Sequence, residues 1–461
     1  MIVPRIHMIV GAAIVLLPVS LLAARPEPIN VTIWVVIWMV LALLVCAAAV
    51  DAAFGHRRFA DISVGVTPMV RMTVGKPSVI PITLNKPQGI RLKLRIGPAL
   101  PLRIDSHQTI YDTVMQQGDE SIRLRWPCIA RRRGRYSLTG CHIEVPSRWG
   151  FWSVRHRFSV NCEIRVYPNL ATGQQHLLGI FHRRELGWRT MRRLGKGREF
   201  EQLRDYLPGD SYEDVDWKAT ARRLYPVTRV YQVEQSQEIY VVLDASLLST
   251  RNAGFGRERR RRRKIKASNH GEYDTIFERY VKAALVMALA AERASDRYGL
   301  MIFGSRPDCI IKAGRGRAHY NACREALYNR HAQLVSPDYN ELFTFIGTHL
   351  RKRSLLVFLT NLDDPLLSET FIGAMHTCAR QHVLLVNMFR PAGAYPLFSS
   401  PKVYHERGIY EHLTGHMVWS SLSTTRRQLK QYGAGFTLLD NELLFSQLVN
   451  QYMEVKQKQI L

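Results

Sequence analysis

The alternation of short apolar runs with longer amphipathic segments after residue 237 constrains the fold of this chain most strongly. The run Glu238–Asp244 (EIYVVLD) is almost entirely apolar and ends on an acid, which is typical of a strand buried on both faces of a parallel sheet. A segment with apolar residues at helical spacing follows, and the strand-then-helix order repeats to the end of the chain. This order predicts a doubly wound α/β domain over residues 236–461.

Polar residues follow two of the predicted strands. Asp244 and Ser246 come at the end of the first strand, and Asn361 and Asp363 follow a later strand, SLLVFLT. Ligands of open α/β sheets bind outside the carboxyl ends of the strands. We therefore expect these four side chains, distant in sequence, to meet on one rim of the sheet.

Residues 56–170 show strand periodicity instead. Runs such as VIPITL and RFSVNCEIRVY alternate apolar and polar residues and are interrupted by Gly, Pro and Asn. This pattern predicts a small β-rich, sandwich-like domain. Its basic cluster at residues 131–135 fits either a ligand patch or a solvated turn beside a strand.

Two apolar stretches without charged residues lie at the amino terminus, at residues 8–24 and 31–50. Together they predict a transmembrane helical hairpin within residues 1–55, and a cleaved signal peptide is the alternative for the first stretch alone. Arg57 and Arg58 follow the second stretch, so the positive-inside rule places the bulk of the chain in the cytoplasm. The sequence thus predicts an α+β multidomain protein with two N-terminal transmembrane helices.

The composition limits the class of protein. The chain of 461 residues is 46% hydrophobic, which supports folded cores, and its net charge of +26 favours lipid headgroups, nucleic acid or an acidic protein as partners. Seven cysteines are widely spaced without a Cys-x-x-Cys pair: Cys46, Cys128, Cys141, Cys162, Cys309, Cys323 and Cys378. They indicate neither a disulfide framework nor a zinc site, and they favour a reducing compartment.

Acids and bases are densely mixed in the segment 171–235. Its acidic residues are Glu199, Glu201, Asp205, Asp210, Asp214 and Asp216. Paired carboxylates of residues 199–216, with arginines and Trp217 nearby, could serve a hydrolase, whereas a structural ion-pair network explains the same pattern. The sequence contains no phosphate-binding loop, no His-Glu-x-x-His and no Gly-x-Ser-x-Gly. We therefore expect a non-enzymatic protein and keep a membrane-bound hydrolase as the alternative.

This charged segment resembles a known family. The residues that carry the resemblance are Arg198, Glu199, Phe200, Arg204, Tyr206, Pro208, Gly209, Asp210, Asp216, Trp217, Lys218 and Arg222. With the strand that ends at Asp244, they resemble the bacterial membrane-anchored family catalogued as domain of unknown function 58 (DUF58). The resemblance implies a scaffold in the bacterial inner membrane that works with a MoxR-type AAA+ ATPase in the assembly or maturation of other proteins.

The region from residue 236 is similar to von Willebrand factor A modules, which hold Mg²⁺ through Asp-x-Ser-x-Ser and two further loops. Asp244 and Ser246 match that pattern, but Leu248, Pro337 and Asn361 occupy the other ligand positions. Mg²⁺ prefers several oxygen ligands, and only one carboxylate stands at a matching position. Asp363 or Ser249 could supply a further oxygen ligand. We therefore expect a degenerate site without bound metal, and we expect no other cofactor.

A basic loop follows the Asp244 strand. Its bases are Arg259, Arg260, Arg261, Arg262, Arg263 and Lys264. Such a block can contact anionic lipid or an acidic partner, or it can be a plain solvated loop. Aromatic residues are not interleaved with the bases, which argues against nucleic acid.

Overall fold

The structure, a computed structural model, divides the chain into two compact units, Met1–Asn169 and Leu170–Leu461. It describes residues 2–23, 31–55, 62–85, 92–116, 120–147, 149–185, 194–232, 237–253, 275–391, 393–396, 399, 406–440 and 442–458. The architecture is α+β, with separate sheets in the two units. This agrees with the predicted α+β multidomain class.

The first unit consists mainly of antiparallel strands. Its elements are β1 (Ile2–Pro4), α1 (Ile6–Ala23), α2 (Val31–Gly55), β2 (Ser63–Val66), β3 (Met69–Thr73), β4 (Pro77–Asn85), β5 (Leu92–Pro98), β6 (Ile104–Asp105), β7 (Tyr111–Met115), β8 (Ser121–Ala130), β9 (Gly134–Pro146) and β10 (Trp152–Tyr167). One sheet has the order β1-β10-β9-β5-β7, with β3 also paired to β10, and the other has the order β2-β4-β8-β6.

A single hydrophobic core holds these two sheets together. Alternate residues of β4 and β8, among them Ile80, Ile82 and Trp126, are buried in it, and Ile143 and Ile164 join them from the other sheet. Because side chains of a strand point alternately to its two faces, the alternating sequence pattern places one face inward and one in solvent. This is the sandwich that the periodicity of residues 56–170 indicates.

The predicted transmembrane helices need a correction. Residues 8–24 and 31–50 lie largely in helices α1 and α2, but within the described ranges no helix combines the length and the apolar character that a membrane crossing requires. The prediction of two membrane spans is therefore wrong. It rested on the length of two uncharged apolar runs, and the predicted inner-membrane location, which depended on it, stays a prediction.

The end of α2 is held against the β-rich sandwich. Asp51, only 2% exposed, accepts hydrogen bonds from the Ser147 hydroxyl and from the Trp149 amide at 3.1 Å. The Trp152 indole donates to the Ala48 carbonyl at 2.8 Å. Since a buried carboxylate is costly unless it is hydrogen-bonded, these contacts stabilise the docking of the last turns of α2 on the sheet.

The second unit contains a two-stranded hairpin and an α/β domain. Its elements are α3 (Ala171–Glu185), β11 (Leu194–Asp205), α4 (Trp217–Arg223), β12 (Val227–Gln232), β13 (Glu238–Asp244), α5 (Ile276–Arg293), β14 (Arg297–Phe303), β15 (Pro307–Gly314), α6 (Gly316–Leu327), α7 (Tyr339–His349), β16 (Leu355–Leu359), α8 (Pro365–Gln381), β17 (Val383–Phe389), α9 (Glu406–Gln431), β18 (Gly435–Leu439) and α10 (Leu444–Lys458).

The large sheet of this unit has the strand order β15-β14-β13-β16-β17-β18. Its pairings are parallel except for the antiparallel edge strand β15. Helices α3, α5, α6 and α10 contribute to the core on one face, and α7, α8 and α9 to the core on the other. Because both faces are covered, the central strands are buried throughout, as the apolar run Glu238–Asp244 indicates.

A buried carboxylate holds the C-terminal helix α10 in place. Asp296, 2% exposed, accepts hydrogen bonds from the Tyr452 hydroxyl, from Lys456 Nζ at 2.7 Å and from the Gln237 amide at 3.1 Å. Lys456 also donates to the Ala294 carbonyl at 2.9 Å. These contacts join α10 to the amino-terminal ends of strands β13 and β14.

Candidate functional site

The residues that carry the family resemblance form one lobe, the β11–β12 hairpin with its connection of residues 206–226. Strands β11 and β12 pair in antiparallel fashion, and Arg198, Glu199 and Phe200 lie on β11. The connection contains a short 3₁₀ turn at Tyr212–Asp214 and the helix α4. We call residues 194–232 the hairpin lobe.

Asp210 closes the connection of the hairpin lobe onto both strands. Its carboxylate accepts from the Leu207 amide at 3.0 Å, from Arg204 Nη2 at 2.7 Å and from the Thr228 hydroxyl at 3.3 Å. The turn between Leu207 and Asp210 consists of Pro208 and Gly209. Gly209 has a φ of +108°, which residues with a side chain rarely adopt. The Leu207 amide, followed by the Arg204 charge, holds the pKa of Asp210 below its ordinary value.

Asp216 has the same kind of role at the start of α4. It is the N-cap residue, and its carboxylate accepts from the Lys218 and Ala219 amides, both at 3.0 Å. Its other oxygen accepts from Arg229 Nε at 2.9 Å, which links the helix to β12. The Arg229 hydrogen bond, followed by the Ala219 amide, lowers the pKa of Asp216. Both carboxylates therefore organise the lobe through ion pairs and backbone hydrogen bonds.

Apolar side chains of the lobe point into solvent. Those that are strongly exposed are Leu207 at 56%, Tyr212 at 74%, Trp217 at 64%, Leu224 at 92% and Tyr225 at 44%. Lys218 and Arg222 of α4 are exposed beside them. The Trp217 side chain therefore contributes little to a hydrophobic core.

Leu224 ends α4 in a conformation that is unfavourable for leucine. Its φ of 64° and ψ of 16° lie in the left-handed region, where a helix normally places glycine. A non-glycine residue there costs about 1 kcal/mol or more, and burial of the side chain does not offset that cost at 92% exposure. Backbone strain that presents an apolar side chain to solvent is typical of a binding surface.

The predicted rim forms at the carboxyl ends of β13 and β16. Asp244 is fully buried, and its carboxylate accepts from the Ser246 amide at 2.8 Å and from the Thr360 hydroxyl at 2.6 Å. Burial raises the pKa of Asp244. The loop after Asp244 is held by the Leu247 amide, which donates to the Val335 carbonyl at 2.9 Å. The structure thus brings together the three chain segments that the sequence interpretation assigned to this rim.

Asn361 and Asp363 are engaged by other groups of the rim. Asn361 Nδ2 donates to the Leu248 carbonyl at 3.2 Å, and its Oδ1 accepts from the Tyr280 hydroxyl at 3.2 Å. Asp363 forms an ion pair with Arg251. The rim is therefore assembled by hydrogen bonds within the protein.

A comparison with protein-family models supports the resemblance of the hairpin lobe and the following α/β domain to a known family. Residues 202–394 match the model of the family described as Protein of unknown function DUF58. This segment is similar to the DUF58 family. No curated protein matches the chain. The DUF58 segment runs from the end of β11 through β17, so it includes most of the hairpin lobe and the whole Asp244 rim.

The rim of the DUF58 segment offers few carboxylate ligands for a divalent cation. Asp244 is the one carboxylate at a matching position, and both of its oxygens already accept hydrogen bonds. Ser249 contributes a buried hydroxyl that has no partner among the described residues, but the Asn361 oxygen is taken by Tyr280. Within the described ranges, no group of three or more His, Cys, Asp or Glu side chains could hold a metal.

Several residues of these sites were missed by sequence reasoning. Thr360 and Tyr280 complete the Asp244 rim, and Arg251 binds Asp363. Thr360 could have been found, since it directly precedes Asn361 at the strand end, whereas Tyr280 fits the apolar face of a helix. The basic loop, Arg259 to Lys264, lies outside the described residues.

Proposed function

We propose that this protein is a non-enzymatic interaction scaffold and that the hairpin lobe is its contact surface. The observation that carries the proposal is the exposure of Trp217 and Tyr212 on a lobe whose backbone is held by Asp210 and Asp216. Exposed aromatic side chains on a fixed backbone lose little conformational entropy on binding, and Trp and Tyr dominate the energetics of protein interfaces.

The charge of α4 suits an acidic partner surface. Lys218, Arg222 and Arg223 are exposed on the same helix as Trp217, and the chain carries a net charge of +26. Basic groups at the rim of an interface accelerate association with an acidic partner. The resemblance to the family suggests that this partner is a MoxR-type AAA+ ATPase, and that the pair assembles or matures other proteins.

The carboxylates of the lobe argue against the hydrolase alternative. A general acid needs a carboxyl group whose pKa is raised towards neutrality, and burial without a charged partner is the usual means. Asp210 and Asp216 have lowered pKa values because backbone amides and arginines bind their ionised forms. Neither is suited to donate a proton near neutral pH.

The proposed function uses no resident Mg²⁺, because both oxygens of Asp244 already accept hydrogen bonds within the protein. A partner that meets the Asp244 rim would contact an ion pair, Arg251 with Asp363, and backbone groups. Binding would therefore survive a chelator and weaken at high salt, because exposed charges are screened.

The test is binding of the full chain to a co-expressed MoxR-type ATPase, with Trp217→Ala as the variant. Loss of a central interface Trp is expected to weaken binding at least tenfold, which corresponds to about 1.4 kcal/mol or more. The melting temperature should stay nearly unchanged, since an exposed side chain contributes within about 0.5 kcal/mol to stability.

Trp149→Ala is the matched control, because Trp149 is 55% exposed and lies in the other unit. It should leave binding unchanged. Equal affinities of the Trp217 and Trp149 variants would contradict the assignment of the hairpin lobe as the contact surface.

A further inference from the structure

A cavity of about 270 Å³ lies beside the edge strand β18, and its lining includes no residue of the hairpin lobe and none of the polar residues of the Asp244 rim. It is lined by Arg390, Pro396, Trp419, Arg426, Phe436, Thr437 and Leu438. Arg390 directly follows β17, and three of the lining residues belong to β18. The cavity is therefore close to the carboxyl ends of two neighbouring parallel strands, which is where ligands of open α/β sheets bind.

Arg390 is fixed in place at this cavity. Its Nε donates to Asp440 Oδ1 at 2.9 Å, and its guanidinium lies 5.3 Å from the centre of the Tyr395 ring. Its backbone amide donates to the Leu439 carbonyl at 3.1 Å. A guanidinium has five N–H donors, so the ion pair with Asp440 leaves donors for a second anion. The side chain is thus preorganised for binding, which lowers the entropic cost.

Helix α9 supplies the opposite wall with Trp419 and Arg426. The two residues are about two helical turns apart and so share one face of the helix. Trp419 is half-buried and stacks on His416, with ring centres 5.6 Å apart. Arg426 is exposed, and within the described part of the chain it has no ion-pair partner. The cavity therefore combines a flat aromatic wall with two cations, of which Asp440 balances one.

We propose that this cavity binds a small aromatic compound that carries a phosphate or a carboxylate. Arg390 and Arg426 bind the anionic group, because a guanidinium matches the two oxygens of such a group. Trp419 and Phe436 contact the ring. A volume of about 270 Å³ lies just below the usual range of small-molecule sites, which suits a small ligand.

The first experiment is calorimetric titration of the full chain with phenyl phosphate, benzoate, inorganic phosphate and phenol at constant ionic strength. We expect saturable binding of phenyl phosphate or benzoate, and the comparison of the two decides between phosphate and carboxylate. Inorganic phosphate and phenol should each bind at least tenfold more weakly, since each lacks half of the recognised group. Equal affinity for inorganic phosphate and phenyl phosphate would overturn the proposal, as would no binding of either aromatic anion.

The second experiment compares Arg426→Gln with Arg427→Gln. Both arginines are exposed neighbours on α9, but only Arg426 lines the cavity. Arg426→Gln should weaken binding of the aromatic anion at least tenfold, and Arg427→Gln less than twofold. A similar loss in both variants would show attraction by general positive charge and would refute the cavity as the site.

Trp419→Ala tests the contribution of the aromatic wall to binding separately from that of the arginines. It should weaken binding of phenyl phosphate at least fivefold and leave the weak binding of inorganic phosphate unchanged. A melting curve of each variant shows that the fold is retained, and Trp419→Phe should restore binding because it restores an aromatic wall. Failure of Trp419→Phe to restore binding in a folded variant would contradict the role of the ring.

Discussion

Removal of the Asp296 carboxylate is the most informative perturbation of the second unit. Asp296→Ala removes the carboxylate that accepts hydrogen bonds from the Lys456 ammonium, the Tyr452 hydroxyl and the backbone amide of Gln237. The Asp296 side chain is 1% exposed and that of Lys456 is 20% exposed, so the ion pair is largely shielded from water. Removing one member of such a pair costs about 3–5 kcal/mol.

The expected decrease in the free energy of unfolding lies at the lower end of that range, at about 3 kcal/mol. The reason is that Lys456 keeps its hydrogen bond to the Ala294 carbonyl and remains partly exposed to solvent. For a unit of this size, 1 kcal/mol shifts the melting temperature by roughly 2–4 °C. We therefore expect differential scanning calorimetry to show a decrease of about 6–12 °C in the transition of the second unit.

Two further variants sharpen this test. Arg297→Ala removes an exposed arginine 3.6 Å from Glu238 in the same unit and should cost less than about 1 kcal/mol. In the double variant of Asp296→Ala with Lys456→Met, the loss should be smaller than the sum of the single losses, because no unpaired charge stays buried. A melting temperature of Asp296→Ala within about 2 °C of the unmodified protein would refute the reasoning.

Two predictions concern the Asp244 rim. Asp244→Asn should raise the free energy of unfolding near neutral pH and flatten its pH dependence. The reason is that burial raises the pKa of Asp244 in the folded state. The unmodified protein therefore loses stability as the pH rises from the ordinary pKa of an aspartate to the raised pKa of Asp244. Urea titrations from about pH 4 to pH 8 check this, and a variant that is less stable over the whole range would contradict it. Calorimetric titration with Mg²⁺ or Mn²⁺ should give no saturable heat, and a one-to-one isotherm that disappears in Asp244→Ala would restore the metal-mediated mechanism.

Sequence periodicity predicted the parts of the fold that depend on local pattern. The apolar run Glu238–Asp244 indicates a strand covered on both faces, and its burial in the sheet follows from that pattern. The meeting of Asp244 with Asn361 was also predictable, because carboxyl ends of parallel strands share one edge. The hairpin lobe could be recognised from its motif, but not the exposure of Trp217.

The N-terminal helices show the limit of composition. Uncharged length alone led to two membrane spans, whereas within the described ranges no helix is suited to cross a membrane. Asp51 lies just beyond the second apolar run, and nothing in its local sequence identifies Ser147 and Trp149 as its partners. Such partners depend on which strand end the helix meets, which local periodicity does not encode.

Side-chain partnerships across the sheet were decided by the tertiary structure alone. Arg251 with Asp363, Asp296 with Lys456, and the cavity between Arg390 and Arg426 join residues from separate elements. The spacing of apolar residues along one helix or strand determines which face of that element is buried. This spacing can be read from neighbouring residues in the sequence. Ion pairs and cavities depend on the order of strands in the sheet and on the helices that cover it, and those are set by packing between elements far apart in the chain.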